Sequence, residues 1–384
     1  MRKIFIAALV ALCPVVAFGQ GGNTGDGGCD GNYKSLSDRI LNLEKKTENF
    51  NLFLNYAASY QLADNGDEWT SAFKAKQFRL EIKGQFGDHL TYRLRHRLNK
   101  SNAALNDNFA KATDIMMVGW NFNDKVSLMG GKMCQFWGGY EFDENPMYIY
   151  QYSDMVDYMD NFMVGAALAV KPVPEHEFVF NITNSYNGSF ESQYGANAFT
   201  AAGKAVAAAK HPLTYIFNWN GSFLNGMLTN RWSVGSYTQA KHYHANMVFL
   251  GQSLNLPKLQ WYLDYMGSFE GIDRLGIATS ILDAPGYQTH VRYNSFVTKM
   301  NWQFADGFNL MLKGMYETAG TKEIGKFRTS LGYLASLEYY PIKDQDCRFF
   351  IAYIGRHYDY KDDFVPAFST NRIEVGVMFR IKAY

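Results

Sequence analysis

Arg93, Arg95 and Arg97 occupy every second position of one stretch of chain, and Arg79 and Lys83 share a parity in the stretch before it. In an extended segment this spacing lines side chains along one face at intervals of about 6 to 7 Å. Three permanently charged, bidentate guanidinium groups in file would offer a small anion successive docking points. Permeation needs sites strong enough to admit an ion and weak enough to release it, and a row of similar exposed cations meets both demands. The competing reading is that these arginines only pair with loop carboxylates and solvate a polar wall.

A ladder of this kind needs strands to hold it. From Phe50 onward, segments of about ten residues alternate between apolar and polar side chains, the period of a half-buried strand. Phe78, Leu80, Ile82 and Phe86 take one face while Arg79, Glu81, Lys83 and Gln85 take the other, and the chain turns at Gly87-Asp88. Leu90, Tyr92, Leu94 and Leu98 then alternate with the three arginines. The same pattern continues to the C-terminus and predicts about sixteen strands over residues 50–384, from 50–61 to 371–382. Short connections interleave with long ones such as 62–72, 101–111, 134–161, 187–212 and 318–326, as in a barrel with short periplasmic turns and longer outer loops.

Alternation alone does not separate a soluble sandwich from a membrane barrel. Aromatics do. Tyr56, Phe86, Trp120, Phe122, Trp219, Trp261, Trp302, Phe304, Phe308 and Tyr339 lie on the apolar faces, many near strand ends, where interfacial girdles sit. The fold class read from the sequence is therefore all-β, a transmembrane antiparallel β-barrel. Composition agrees: 16% of the 384 residues are aromatic and only 19% charged, which excludes disorder, and 37 basic against 36 acidic residues give no bulk attraction to nucleic acid.

Residues 1–20 carry the charged, apolar and small-residue regions of a secretory signal, ending near Ala17-Phe18-Gly19. Residues 21–34 read as a flexible Gly-rich leader. Leu36, Ile40, Leu43, Thr47 and Phe50 then form a heptad seam, so 35–50 is expected to be a short coiled-coil helix after a Ser35/Asp38 cap. Its other reading is an amphipathic helix lying on its own domain.

If the apolar faces meet lipid, the polar faces line a lumen, and sixteen strands leave room for water. Sixteen basic side chains fall on those faces, Lys125 and Arg292 among them, against only Glu81, Asp264, Glu317, Glu338 and Glu374. Low-dielectric walls focus such a field and concentrate anions. The candidate anion path comprises Arg79, Lys83, Arg93, Arg95 and Arg97, with Lys132 at the mouth of the longest loop and Arg348 on a later strand. That loop, 134–161, carries Glu141, Asp143, Glu144, Asp154, Asp157 and Asp160, which oppose a simple anion filter unless they are paired or face outward. Its aromatics, Phe136, Trp137, Tyr140, Tyr148, Tyr150, Tyr152 and Tyr158, would suit packing against a barrel wall.

Signal, short coiled coil, sixteen alternating strands, arginine-rich lumen and long third loop together resemble the phosphate-selective porin O and P family across nearly the whole mature chain. The resemblance implies a homotrimeric channel in the outer membrane of a Gram-negative bacterium, carrying small anions such as phosphate past Arg93, Arg95 and Arg97. The acidic third loop, with no lysine cluster beyond Lys132, departs from that pattern and bears on phosphate preference. The alternative function is a structural or assembly barrel that binds peptidoglycan or a periplasmic partner through residues 35–50. No catalytic constellation or cofactor motif is present in the sequence: Ser, His and Asp are scattered, and no Gly-rich phosphate loop joins a strand to a helix. His242 and His244 would share a strand face but lack a third metal ligand.

Overall fold

A computed structural model describes residues 49–383 except 65, 67, 284, 343–345 and 362–364. The expected signal, leader and all but the end of the expected helix lie outside the described residues. The chain forms sixteen strands: β1 (Asn51–Asp64), β2 (Trp69–Phe86), β3 (Leu90–Arg97), β4 (Thr113–Asn123), β5 (Val126–Cys134), β6 (Phe162–Val173), β7 (His176–Asn184), β8 (Leu213–Phe223), β9 (Leu228–Ala240), β10 (Tyr243–Leu256), β11 (Leu259–Ile272), β12 (Thr289–Ala305), β13 (Phe308–Thr321), β14 (Gly325–Tyr339), β15 (Asp346–Tyr360) and β16 (Phe368–Lys382). Each pairs antiparallel with its sequence neighbours, and β1 closes on β16 in a register running from Phe53 opposite Lys382 to Asp64 opposite Asn371. Closure gives every strand a partner on both sides, which a membrane-spanning sheet requires because lipid cannot hydrogen-bond a free edge.

The barrel is apolar outside and polar inside. On β15, Phe349, Ile351 and Tyr353 point out, with the first two more than half exposed, while Arg348, Phe350, Ala352 and Ile354 are buried within. Tight reversals such as Asp306-Gly307, with Gly307 at φ +71°, join strands at the end that holds both termini of the barrel. At the other end stand the longer loops, although 318–326 proves to be a turn of three residues because β13 and β14 extend into it. His242 also falls in a turn, at φ +70°, so His242 and His244 do not share a strand face.

Two features of the wall depart from simple alternation. Asp114 has the parity of Met116, Val118 and Trp120, which face lipid, yet it is 4% exposed and points inward. The cause is a β-bulge: Arg95 pairs with Ile115 and His96 with Thr113, so Asp114 is the extra residue and is re-aimed into the lumen. The second departure is an apolar patch on the inner face of β10 to β13, where Met247, Phe249, Met266, Val291, Val297 and Met315 are buried in one cluster.

Candidate functional site

The third loop fills that apolar face. Residues 135–161 turn into the barrel and carry two short helices, α1 (Tyr140–Asp143) and α2 (Asp154–Asp157). Trp137 stacks on Phe249 with ring centroids 5.3 Å apart, Phe142 meets the same ring edge-on at 5.7 Å, and Tyr140 stacks on Tyr262 at 5.7 Å. Burying two or three such aromatics contributes on the order of 1.5–3 kcal/mol each. The wall is flat where they land. A Cβ on Gly235 would come within 2.7 Å of the Trp137 ring, and one on Gly251 within 3.0 Å of Tyr140. Gly235→Leu is therefore expected to lift the loop from β9 and raise single-channel conductance and its noise. A planar-bilayer recording with unchanged conductance would show that the loop does not limit flow.

Its acidic residues are what secure the loop to the far wall. Glu141 pairs with Lys313, Glu144 with Lys299, and Asp143 Oδ2 lies 2.8 Å from Arg231 Nη1. Asp154 accepts from Arg328 Nη1 at 2.5 Å and Arg356 Nη2 at 2.7 Å, and Arg356 also pairs with Glu317. The backbone N–H groups of Tyr140 and Glu141 donate to Asp264, and Tyr150 donates to Glu338 at 2.8 Å. Tyr140, Tyr148 and Tyr150 are buried against the wall as expected, whereas Tyr158 is 55% exposed. Glu141, Asp143, Glu144 and Asp154 thus pair with β9 and β12 to β15 and not with the 93–97 ladder, whereas Asp157 and Asp160 are exposed, Asp160 accepting from Asn187 at 3.0 Å.

The ladder stands on the opposite wall. Register sets Arg97 beside Arg79, Arg95 beside Glu81 and Arg93 beside Lys83. Arg93 donates through Nε and Nη2 to Glu81 at 3.0 and 2.7 Å. Asp114 alone serves three guanidinium groups: Arg97 at 2.7 Å, Arg95 at 3.5 Å and Arg79 at 3.6 Å. Arg380, in register across β1 from Arg79 through Asn55, lies 3.9 Å from Glu81. This wall thus places Arg79, Lys83, Arg93, Arg95, Arg97 and Arg380 around two carboxylates. Arg79 and Arg95 are each 4% exposed, so little water reaches their guanidinium groups. Across the lumen stands Tyr152 of the loop, whose phenol burial raises above its ordinary value while Arg79 acts against that shift.

The other candidates lie elsewhere. Lys132 is buried and bound to Asp107 Oδ2 at 2.9 Å, with its ammonium over the Phe109 ring, so it tethers the 98–112 loop. Arg348 is 1% exposed, donates to the Met147 carbonyl and covers the Tyr148 ring at 4.8 Å, so it grips the third loop. The lumen count also needs correction. Arg292 points outward, Lys125 sits in a turn, and Asp114, Asp346 and the loop carboxylates add negative charge inside. Sequence reasoning missed Asp114, although a lone aspartate at lipid-facing parity was the available signal, since such a charge has to be re-aimed or paired. Among the described residues no group of three or more His, Cys, Asp or Glu is placed to hold a metal ion.

A closed sixteen-stranded barrel with an apolar exterior, a polar lumen and an inward third loop defines an outer-membrane porin. The chain belongs to the phosphate-selective porin O and P family, whose profile matches residues 50–381. Its place is accordingly the outer membrane of a Gram-negative bacterium, and the fold and family are those of a channel. Among solved structures it is similar to the outer-membrane channel DcaP of Acinetobacter baumannii, at TM-score 0.58 and 9% identity, covering 87% of this chain and 96% of that one. It is similar to the anion-selective porin from Comamonas acidovorans, at TM-score 0.54 and 10% identity over 88% and 100% of the two chains. The trimer form of OmpT from Vibrio cholerae gives TM-score 0.54 and 10% identity over 87% and 100%. No curated protein matches the chain by sequence.

Proposed function

We propose that the protein is a channel selective for small anions, phosphate among them, and that Arg79, Lys83, Arg93, Arg95 and Arg97 form the anion path. One observation carries this reading: four of the six loop carboxylates, Glu141, Asp143, Glu144 and Asp154, are already paired with Arg231, Lys299, Lys313, Arg328 and Arg356 on the far wall. The ladder then faces the lumen with Glu81 and Asp114 as the carboxylates set among its cations. The poorly hydrated setting strengthens each cation's field relative to bulk water. Lys132 and Arg348 act at one remove in this scheme, by fixing the two loops that shape the entrance and the constriction. Assembly as a homotrimer belongs to the same proposal and is supported by the trimer form among the similar structures.

The test is the reversal potential of the purified protein in a planar bilayer under a KCl gradient, followed by phosphate titration of the chloride current. Anion selectivity with phosphate block is the expected result. A cation-selective current would overturn the proposal, and a folded barrel without conductance would favour a plugged barrel with a structural role. Asp114 provides a second check. Asp114→Asn removes the carboxylate shared by three arginines, so anion preference is expected to rise severalfold in the same measurement.

A further inference from the structure

Arg292 stands on the surface that meets lipid. There β12 presents Arg292, Asn294 and Phe296 outward, while Val291, Tyr293, Ser295 and Val297 point in. Phe296 belongs to an aromatic belt, with ring centroids 4.8 Å from Tyr265 and 6.4 Å from Tyr316. Just above it, Tyr265 donates to Asn294 Oδ1 at 3.0 Å and Asn294 Nδ2 donates to Thr318 Oγ1 at 3.1 Å. The apolar band ends at this hydrogen-bonded ledge.

Arg292 is four residues beyond Phe296 toward the loop end, which for a tilted strand is roughly 10 Å higher along the membrane normal. That is the headgroup level, where a lipid-facing cation costs little, whereas deeper it would be strongly unfavourable. Its guanidinium covers the Phe269 ring at 5.1 Å. Through Gly320, which has no side chain, Arg292 is in register with Lys326, also exposed. His290 and Lys322 extend the basic rim, on which Glu323 and Asp359 are also exposed. Below the cations lie Phe296, Tyr316 and Leu331, each between 42% and 50% exposed.

We propose that this rim binds the phosphate group of an outer-leaflet lipid. Arg292 takes phosphate oxygens with its planar fork, Lys326 adds charge from two strands away, and an acyl chain lies along Phe296, Tyr316 and Leu331. The reading is independent of what the lumen conducts, because none of these side chains faces the lumen.

The test is retention of bisphosphorylated lipid A by the detergent-purified barrel, measured by native mass spectrometry for the parent and for Arg292→Ala/Lys326→Ala. Dephosphorylated lipid A is the chemical control, and Lys125→Ala, at a turn on the opposite end, is the positional one. Retention by the double variant is expected to fall about tenfold, with Lys125→Ala unchanged and dephosphorylated lipid bound weakly by every form. Millimolar inorganic phosphate should leave retention unaltered, since the acyl contacts favour the lipid. Equal retention by parent and double variant, or equal binding of the dephosphorylated lipid, would overturn the proposal. A double variant that keeps its lipid but dissociates into protomers would assign the patch to a protein interface instead. Unchanged single-channel conductance in the double variant certifies that the barrel has folded.

Discussion

Changing Arg93, Arg95 and Arg97 together to alanine is expected to abolish most of the anion preference while leaving a folded barrel. The ladder wall holds six cations against Glu81 and Asp114, and the triple variant leaves Arg79, Lys83 and Arg380 against the same two carboxylates. A guanidinium about 6 Å from an ion on the path contributes roughly 2–3 kcal/mol at an effective dielectric of about 20, before screening by salt and by its own carboxylate. Even half of one such contribution is about tenfold in relative occupancy. The anion-to-cation permeability ratio should therefore fall by at least about tenfold, read as a shift of reversal potential toward zero. Folding should survive because the change strands neither carboxylate: Glu81 keeps Arg380 within 3.9 Å and Asp114 keeps Arg79 within 3.6 Å. Lysine at all three positions separates field from docking. It retains the charge and hence the anion preference, but it lacks the bidentate fork and should weaken phosphate block. A triple alanine variant with an unshifted reversal potential would remove these residues from the path.

The second large effect is expected at the loop anchor. Asp154→Ala removes the carboxylate shared by the buried Arg328 and Arg356, and of the two Arg356 keeps its pair with Glu317. Breaking one side of such a buried network costs about 3–5 kcal/mol because the surviving charge is left uncompensated. That is comparable to what the loop aromatics contribute, so the α2 end of the loop should detach while Trp137 and Phe142 hold the other end on Phe249. Larger, noisier conductance with stronger anion preference is the expected recording, since a negative charge is lost and a cationic wall is uncovered. A quiet trace at parental conductance would show that α2 is held in place without Asp154. The same pair sets a pH expectation. Burial opposes ionisation of Asp154, but Arg356 and Arg328 outweigh it and hold the carboxyl below its ordinary value. Its anchoring is fully present above the ordinary aspartate range of about 4 and is lost only as the pH falls through the lowered value. Asp154 should therefore keep the loop seated from pH 8 to pH 5, and conductance over that range should show no transition assignable to it.

The barrel was readable in the sequence because a strand's side-chain period is short and local. Phe78, Leu80 and Ile82 against Arg79, Glu81 and Lys83 already state which side of β2 faces lipid, and the aromatic girdles state which solvent each side meets. Sixteen repetitions of that local pattern, with short turns alternating with longer loops, made the closed sheet the economical reading. The arginine ladder was equally visible, since residues 93, 95 and 97 of one strand must share a face. What was not visible is whatever depends on partners distant in sequence. Asp114 enters the lumen only because a bulge against Arg95 and His96 shifts its parity. Lys132 and Arg348 look like lumen cations in the sequence, but Asp107 and the Met147 carbonyl claim them in the fold.

The third loop shows the division most clearly. Its composition announces six carboxylates and a set of aromatics, and no local rule says which wall they meet. That choice rests on the apolar patch of β10 to β13 and on five cations that come from strands β9 and β12 to β15, up to about two hundred residues away. Residue order alone set the strands, their faces and the ladder, because those follow from alternation within about ten residues. Tertiary structure alone decided which carboxylates neutralise which cations, and hence which wall keeps its positive field. Electrostatic pairing depends on distance in space, and only barrel closure brings those strands within reach of the loop.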